Sequence, residues 1–493
     1  MQEEPRLDSL CRVFPETFKT EPYEHQRQVF EESCDRREFG LFLEMGTGKS
    51  KILLDTIAHL ALNGKIDGAL IVAPKGVYMN WVRKEIPTHL SDALTTEVLA
   101  WAPEKTKQNE RAKADFLKQK SFAILVMNVE ALSTKRGQDY ATKFLESRRC
   151  LFSIDESTTV KNPSAARTKA CVKLGRLAAY RRIMTGTPVT RAPLDVYAQM
   201  QVLRPGILGF SSFFTFRNRY AVIEKDHVHS GGGLRQYTHV TGYRRLDELH
   251  RKLQEHTARV LKSECLDLPD KIYESREVEL TDEQRKAYRE MLHESITMLD
   301  GRPATAQVVI TQMLRLHQIL CGHLPTVDGE IHELPSNRTR ALLEVIEEAG
   351  DGQVIVWANY RHDIRLIQRE LSKAFGAARV RAYYGDTAQK DRQSIVEDFQ
   401  AGEIRFFVGQ QKTGGYGLTL TAASTVIYFS NNFDLETRLQ SEDRAHRIGQ
   451  TNKVTYVDLI APNTLDERIV QALRNKMNLA SQVTGDGWRE WLV

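Results

Sequence analysis

Short apolar runs alternate with longer amphipathic segments over the first 200 residues. Residues 51–62 place Ile52, Ile57 and Leu60 on one stripe, which predicts a helix. Strands that alternate with helices are typical of a parallel sheet covered on both faces, so we predict an α/β lobe here. The runs predicted as strands are 39–43, 69–73, 122–126, 151–154 and 181–184.

The same rhythm returns after residue 350 and predicts a second α/β lobe of similar plan. Its predicted strands are 353–357, 380–384, 404–408, 425–429 and 454–460. The intervening residues 206–335 read as mostly helical insertions. Within them we predict a flexible or hairpin loop at 229–237, helices at 244–261, 283–299 and 306–320, and a linker at 266–271. The expected domains are therefore 1–205, 206–335 and 336–493.

Composition adds little to this picture. A chain of 493 residues is too long for one core, and 69 basic against 64 acidic residues is weak evidence for an anionic partner. The six cysteines form no C-x-x-C pair, which argues against a zinc site and a disulfide framework and suits a reducing cytosol. We see no secretion signal and no apolar run of the ~20 residues that a membrane span needs. A soluble intracellular protein is expected.

Candidate chemistry begins directly after the first predicted strand, where EMGTGKS (44–50) leads into the amphipathic helix. Glycines let the loop backbone approach a phosphate at the helix N-terminus, Lys49 would reach the β- and γ-phosphates, and Ser50 would ligate Mg²⁺. The strict phosphate-loop pattern has Gly where this chain has Leu43, so a chance turn is the alternative. The predicted loop residues are Gly46, Thr47, Gly48, Lys49 and Ser50.

Two further strand ends carry polar residues that suit the same chemistry. Asp155 and Glu156 follow the strand at 151–154, where Asp155 could hold Mg²⁺ and Glu156 could polarise the attacking water. Thr185, after the next strand, could hydrogen-bond to these carboxylates. Upstream, the amide of Gln26 could read an adenine edge. Each of these residues also has a purely structural interpretation, in a turn or loop for Asp155, Glu156 and Thr185 and on the surface for Gln26.

Near the end of the chain, LQSEDRAHRIGQ (439–450) follows an apolar strand. Gln440, Arg444 and Arg447 stand at i, i+4 and i+7, so we predict that they share one face of a helix that stops at Gly449. Such arginines are usually solvated surface. The sharper hypothesis is that they serve the triphosphate held by Lys49.

Eight collinear segments of the chain resemble the motifs of the Swi/Snf-related group of superfamily 2 helicase-type ATPases. They are PYEHQ (22–26), LEMGTGKS (43–50), IVAPKGVYMNW (71–81), IDESTTVKNP (154–163), MTGTPVTRAPLDVYAQMQVLRP (184–205), VIVWANYRHDI (354–364), GGYGLTLTAASTVIYF (414–429) and QSEDRAHRIGQ (440–450). The resemblance implies two tandem RecA-like lobes that bind ATP and Mg²⁺ and track along DNA. It also implies catalytic roles for Lys49, Asp155, Glu156, Gln440, Arg444 and Arg447.

The resemblance further implies contacts to the DNA backbone and to the nucleotide. The expected DNA-binding residues are Pro74, Lys75, Asn80, Trp81 and Asn128 in the first lobe and Lys412, Thr413 and Gly414 in the second. Gln26 and Gly417 are expected at the nucleotide.

Three places in this chain depart from the group's pattern. They fall at residues thought to couple the state of ATP to DNA binding, so the efficiency of that coupling is in question for this chain. Thr158 stands where His is usual, Thr419 where Asn is frequent, and NNFDLE (431–436) replaces Asp-Trp-Asn-Pro. The chain otherwise resembles a minimal motor without chromatin-reading domains.

The function that the resemblance favours is an ATP-dependent translocase on duplex or branched DNA, without sequence specificity or a membrane. A strand-separating helicase is one alternative, and a nucleotide-switched DNA-binding module with little turnover is another. A cytoplasmic location, or a nuclear one in a eukaryote, is expected. Protein partners are left open.

Overall fold

The structure, a computed structural model, describes residues 13–230, 233–299, 306–326, 328, 330–388, 391–414 and 418–485. These residues divide into two compact units. Unit 1 comprises the described residues up to Ala221, together with Tyr243–Leu266 and 479–485, and unit 2 comprises Val222–Gly242 and Asp267–Asn478.

Strands and helices alternate through both units. In chain order the strands are β1 (Glu38–Leu43), β2 (Gly68–Ala73), β3 (Thr96–Ala100), β4 (Phe122–Asn128), β5 (Cys150–Asp155), β6 (Tyr180–Met184), β7 (Ala221–Ser230), β8 (Gly233–Tyr243), β9 (Thr257–Val260), β10 (Lys271–Glu277), β11 (His323–Pro325), β12 (Ile331–Glu333), β13 (Gln353–Trp357), β14 (Val380–Tyr383), β15 (Phe406–Gly409), β16 (Ala423–Tyr428) and β17 (Val454–Ile460).

The helices, in chain order, are α1 (Glu24–Ser33), α2 (Lys49–Leu62), α3 (Tyr78–Asn80), α4 (Ile86–His89), α5 (Lys107–Lys118), α6 (Lys135–Ser147), α7 (Ala166–Leu177), α8 (Asp195–Leu203), α9 (Phe213–Tyr220), α10 (Leu246–Gln254), α11 (Lys262–Cys265), α12 (Asp282–Leu299), α13 (Ala306–Leu320), α14 (Arg338–Glu348), α15 (Arg361–Phe375), α16 (Asp391–Ala401), α17 (Gln411–Gly414), α18 (Leu435–Glu442) and α19 (Leu465–Thr484). Trp81–Glu85 forms a π-helical turn between α3 and α4.

Unit 1 is built on a parallel sheet with the strand order β3-β4-β2-β5-β6-β1-β9. Successive residues of β2 enter different apolar clusters, with Leu70 and Val72 in one and Ile71 and Ala73 in the other. Both faces of the sheet are therefore buried, which explains the continuous apolar runs of its central strands. The five strands predicted for this lobe are confirmed.

The predicted helix at 244–261 is wrong over its second half. Helix α10 ends at Gln254, and Thr257–Val260 forms β9, which pairs in parallel with β1. A Cβ on Gly40 of β1 would lie 2.8 Å from Thr257 Cγ2, so the glycine makes room for the added strand. Each pairing partner lies 217 residues upstream, so the local pattern could not reveal it.

Unit 2 contains a second parallel sheet, with the order β10-β17-β16-β13-β15-β14. It confirms the second predicted α/β lobe, and α12 and α13 confirm two predicted helices. Strand β10 was not predicted and begins at Lys271, the last residue of the predicted linker. The predicted loop at 229–237 falls on a two-stranded sheet of β7 and β8, although 231–232 lie outside the described residues.

The sheets of both units place the loops that carry the sequence motifs at the carboxyl ends of parallel strands, where α/β sheets bind ligands. None of the described helices combines the length and the hydropathy that a membrane span needs.

Candidate nucleotide site and nucleic-acid contacts

The loop after β1 turns sharply into α2 through two glycines in the left-handed region. Gly46 has φ 86° and Gly48 has φ 95°, a conformation that other residues adopt only with strain. A Cβ on Gly48 would also lie 2.1 Å from Gln26 Nε2. Helix α2 begins at the next residue, Lys49. The backbone N–H groups of the loop therefore lie at a helix N-terminus, which is a common phosphate-binding site.

Side chains of the loop hold its shape. Lys49 Nζ donates to the carbonyl oxygens of Leu43 at 2.9 Å and Glu44 at 3.1 Å. Thr47 Oγ1 donates to the Glu44 carbonyl at 2.7 Å. Ser50, half-buried, follows Lys49 in the first turn of α2. The predicted phosphate-loop residues thus lie together at the end of β1.

Gln26 and its neighbour His25 bring α1 against this loop. Gln26 Nε2 donates to the Thr47 carbonyl at 3.2 Å, and its Oε1 accepts the backbone N–H of Tyr23 at 3.1 Å. His25 Nε2 also donates to the Thr47 carbonyl, at 2.8 Å. The predicted adenine contact of Gln26 stays a prediction. The contact of His25 with the loop was not predicted, because the sequence alone does not show that the Thr47 carbonyl lies beside this histidine.

Asp155 ends β5 with both carboxylate oxygens hydrogen-bonded. Oδ2 accepts from Trp81 Nε1–H at 2.9 Å, and Oδ1 accepts the backbone N–H of Glu156 at 3.1 Å. Burial raises the pKa of Asp155 above its ordinary value, and the Trp81 hydrogen bond and the positive charge of Lys49 oppose that rise.

The predicted DNA contact of Trp81 stays a prediction, and the structure gives its side chain a different partner. Trp81 is 2% exposed, and its indole is committed to Asp155. In this conformation the ring is shielded from solvent. Trp81 begins a π-helical turn and is buried within it, which the sequence pattern could not show.

Glu156 sits in a backbone conformation that glutamate rarely adopts, with φ 49° and ψ 65°. Such left-handed strain at a non-glycine residue persists where the surroundings impose it, and it clusters at functional sites. Thr185 Oγ1 donates to Glu156 Oε2 at 3.1 Å, and the N–H of Thr187 donates to Thr185 Oγ1 at 3.2 Å. The predicted bond from Thr185 to the carboxylate pair is confirmed.

A second set of contacts, not predicted, ties the loop after β5 to the loop after β6. Ser157 Oγ donates to Gln199 Oε1 at 2.7 Å, and Gln199 Nε2 donates to the Pro188 carbonyl at 2.7 Å. Lys161 Nζ donates to Thr190 Oγ1 at 2.6 Å. These bonds hold the loop that carries Glu156 against the loop that carries Thr185.

In unit 2, the prediction that Gln440, Arg444 and Arg447 share one helical face is wrong. Helix α18 ends at Glu442, so Gln440 lies on the helix and both arginines lie in the turn that follows. The turn brings the arginines together all the same, since Arg444 Nη1 and Arg447 Nη1 each donate to the Leu418 carbonyl at 3.3 Å.

Gln450 explains why the chain leaves the helix early. Its buried Nε2 is 2.9 Å from the carbonyl oxygens of Thr421 and Ala423 and 3.0 Å from that of Ala445. This amide fixes the turn against the neighbouring loop, a tertiary contact that outweighs the local helical pattern. Gln440 Nε2 lies 3.4 Å from Glu436 Oε1, one turn earlier on α18.

The other predicted DNA-contact residues of unit 1 follow the ends of β2 and β4. Lys75 and Asn80 are exposed and Pro74 is buried. Asn80 Nδ2 donates to Glu85 Oε1 at 3.3 Å. Asn128 is 8% exposed, and its Oδ1 accepts the N–H of Ala131 at 2.8 Å.

In unit 2, the predicted DNA-contact residues lie on the short helix α17. Lys412 is exposed, and Thr413 Oγ1 lies 3.3 Å from Gln410 Oε1. Gly414 is the last residue of α17. Gly417, predicted at the nucleotide, lies outside the described residues.

Comparison with protein families accounts for most of the chain. Residues 27–323 match the model of the SNF2-related domain. The chain belongs to the SNF2-related family. Residues 337–449 of this SNF2-related chain also match the helicase conserved C-terminal domain. The predicted Swi/Snf-related resemblance is confirmed, and the chain has the domain pair of a helicase-like ATPase.

Curated relatives of this SNF2-related chain include a bacterial and an animal protein. YwqA of Bacillus subtilis (strain 168), whose name describes an ATP-dependent helicase/translocase, is 27% identical over 456 residues, 89% of this chain and 46% of YwqA. The ATP-dependent helicase brm of Drosophila melanogaster is 25% identical over 483 residues, 90% of this chain and 28% of brm. The chain thus spans less than half the length of both relatives.

A solved structure titled Sulfolobus solfataricus SWI2/SNF2 ATPase core in complex with dsDNA is also similar to this SNF2-related chain. It is 24% identical, with a TM-score of 0.42, over 98% of this chain and 97% of that one.

Proposed function

We propose that this chain is an ATP-driven motor that tracks along duplex or branched DNA without sequence specificity. One observation carries the proposal. The phosphate loop, the Asp155 carboxylate and the Thr185-bonded Glu156 lie at neighbouring strand ends of one sheet. The names of two relatives, "Putative ATP-dependent helicase/translocase YwqA" and "ATP-dependent helicase brm", support an ATP-driven motor.

The residues present suit ATP with Mg²⁺. Ser50 and Asp155 offer the hard oxygen ligands that Mg²⁺ prefers, and Asp155 is oriented by two hydrogen bonds that leave further lone pairs. Bound there, Mg²⁺ would supply neutralisation of phosphate charge. Lys49 would hold the β- and γ-phosphates, and Glu156, fixed by Thr185, would orient the attacking water.

Unit 2 contributes the arginines of the mechanism. We assign Arg444 and Arg447 to the γ-phosphate during turnover, because an arginine that stabilises the transition state is worth ~10³–10⁵ in rate. Gln440, buried on α18 four and seven residues before them, would orient groups of the same site. Contacts to DNA would be mainly to phosphate and sugar, so binding should weaken steeply with salt.

The test is the ATPase rate of the purified chain with single-stranded, duplex and forked DNA, together with displacement of a triplex-forming strand. Stimulation by duplex DNA with triplex displacement supports translocation. Preferential stimulation by single strands with fork unwinding would establish the strand-separating helicase instead. Tight ATP-dependent DNA binding with negligible turnover would establish the nucleotide-switched module.

Two variants with matched controls assign the residues. Glu156→Gln should keep ATP binding and abolish hydrolysis, whereas Glu146→Gln, an exposed residue of α6, should change neither. Arg447→Ala should keep ATP binding and abolish DNA-stimulated turnover, whereas Arg340→Ala, with a side chain 72% exposed, should not. An Arg447→Ala protein that retains most of its kcat would remove Arg447 from the mechanism.

A further inference from the structure

The unpredicted edge strand β9 carries an arginine that reaches two of the loops at the nucleotide site. Arg259 Nη1 donates to the Phe42 carbonyl at 2.9 Å and to the Gly186 carbonyl at 3.0 Å. Phe42 is the penultimate residue of β1, two residues before Glu44, and Gly186 lies in the loop after β6. These acceptors lie 217 and 73 residues away along the chain. The Arg259 side chain is 19% exposed, so its hydrogen bonds are shielded from much of the solvent.

Glu44 connects the same strand to the phosphate loop from the other direction. Its backbone N–H donates to the Val260 carbonyl at 3.0 Å, and its Oε2 accepts the N–H of Lys262 at 2.8 Å. Its Oε1 lies 4.0 Å from Arg259 Nη2, within range of an ion pair. Both the main chain and the side chain of Glu44 are therefore tied to β9 and the start of α11.

The carbonyl of Glu44 is, in turn, an acceptor for the loop residues that would meet the nucleotide. It accepts from Thr47 Oγ1 at 2.7 Å and from Lys49 Nζ at 3.1 Å. A shift of Glu44 would thus move the acceptors that hold Thr47 and Lys49. The link runs from β9 through one residue to the phosphate loop.

Gly186 completes the arrangement, because it packs directly on the phosphate loop. A Cβ on Gly186 would lie 3.2 Å from the Met45 nitrogen and 3.4 Å from the Leu43 oxygen. Its neighbour Thr185 donates to Glu156. Arg259 therefore joins the loop that would hold the phosphates to the loop that holds the candidate water-orienting carboxylate.

We propose that Arg259 and Glu44 are positioning residues that hold the phosphate loop and the Gly186 loop in one alignment, and so set both ATP affinity and turnover. This proposal rests on the nucleotide site proposed above. Arginine suits the role because its planar fork presents several fixed donors, whereas a lysine ammonium is a flexible point charge. Neither residue touches the reacting atoms in this role.

The experiment compares variants by the dissociation constant of a fluorescent ATP analogue with Mg²⁺, by KM and kcat for ATP without DNA, and by melting temperature. Arg259→Ala should raise KM and lower kcat, together reducing kcat/KM by roughly tenfold to a hundredfold, as expected for lost hydrogen bonds of a charged group. Arg259→Lys should recover part of this loss. Glu44→Gln keeps an acceptor for the Lys262 N–H, so it should show a smaller change in the same direction.

Arg181→Ala is the matched control. Arg181 lies on the neighbouring strand β6 of the same sheet, binds Glu38 at 2.7 Å, and donates to the carbonyls of Gly175 and Ala178 at 3.0 and 3.1 Å. Those contacts lie at the amino end of the sheet, away from the phosphate loop. Arg181→Ala should therefore lower the melting temperature without changing KM or kcat.

The outcomes separate this proposal from the proposed function. If Arg259→Ala changes only the melting temperature, as the Arg181 control should, the positioning role is overturned. If Arg259→Ala does not fold, Arg259→Lys and Glu44→Gln decide by the same readouts, and wild-type KM and kcat in both would overturn it. Lys49→Ala tests the site itself, since wild-type ATP affinity in that variant would refute the nucleotide site rather than the role of Arg259.

Discussion

At the scale of single residues, Asp155 depends on neighbours from several parts of unit 1. Trp81 comes from the turn after β2, 74 residues upstream, and Lys49 from the start of α2. Groups behind a metal-binding carboxylate orient it and tune its basicity. Trp81 thus binds the carboxylate proposed to hold Mg²⁺, although it lies in a segment whose resemblance pointed to DNA.

Replacing Trp81 by Phe keeps the aromatic volume and removes the indole N–H. We expect the Mg²⁺ concentration for half-maximal ATPase activity to rise roughly tenfold, because Asp155 loses a donor that orients its carboxylate. A Mg²⁺ titration at saturating ATP measures this. Trp101→Phe is the control, since Trp101 is also buried in unit 1 at 3% exposure, but its ring lies 4.3 Å from Lys113 Nζ in a cation–π contact. Equal titration curves for both variants would contradict the role of Trp81.

Residue types at strand ends were sufficient to identify Lys49, Asp155 and Glu156 as candidates, because phosphate and metal chemistry requires those groups in that order. The supporting residues could not be identified in this way. Arg259 and Gln450 act through carbonyl acceptors that any residue could supply. Nothing in the sequence marks an acceptor of that kind.

At the scale of elements, α18 is held by a buried ionic network. Arg438 Nε donates to Glu442 at 2.8 Å, its Nη1 donates to Asp458 at 2.5 Å and to Asn431 at 2.8 Å, and its guanidinium lies 3.5 Å from the Tyr428 ring centroid. Asn431 opens the segment 431–436 that departs from the family pattern. The departure therefore has a structural counterpart, in which Asn431 helps to seat α18 ahead of Arg444.

Arg438→Ala should destabilise the protein by about 3–5 kcal/mol, because it leaves Asp458 buried without its cation and leaves Glu442 with Lys271 alone. Chemical denaturation followed by circular dichroism measures the change. Arg340→Ala removes an exposed arginine from α14 and should shift stability by less than about 0.5 kcal/mol. A comparable shift in both variants would show that the network contributes no more than a surface pair.

The pattern of apolar residues predicted the central strands of both sheets. It did not predict the edge strands β9 and β10 or the end of helix α18. Central strands such as β2 are apolar on both faces, whereas every residue of β10 is partly or fully exposed, so its sequence resembles that of a linker. Strand β9 and the end of α18 depend on partners distant in sequence. Long-range pairing therefore decided the elements that local periodicity could not.

At the scale of the whole molecule, a buried carboxylate in each unit makes the free energy of unfolding depend on pH, and the two dependences have opposite signs. Burial alone would raise the pKa of Asp466 in unit 2, but Arg338 and His317 outweigh it and lower this pKa to about 2. In unit 1, burial outweighs the bond from Lys51 and raises the pKa of Asp55 to about 6.

For Asp466, the folded-state pKa lies below the ordinary 3.8. Its ionisation therefore stabilises the protein above about pH 4, and this contribution of about 2 kcal/mol is lost as the pH falls towards 2. Asp466→Asn should be less stable than the wild type at pH 7 and should approach it at low pH. Melting temperatures between pH 2 and 7 measure the difference. A constant difference across that range would contradict the pairing with Arg338.

For Asp55 the sign is reversed, since its folded-state pKa lies above 3.8. The protonated form stabilises the fold fully below about pH 4, and this contribution, about 3 kcal/mol, is lost as the pH rises through 6. Asp55→Asn stays neutral at every pH, so the wild type should lose stability relative to this variant between pH 4 and 6.5 and hold a constant difference above that. Asp115→Asn, with a side chain 55% exposed, should follow the wild type throughout. Equal pH profiles of stability for Asp55→Asn and the wild type would contradict a raised pKa for Asp55. The bond from Lys51 Nζ, 2.9 Å from the carboxylate, would then cancel the effect of burial on that pKa.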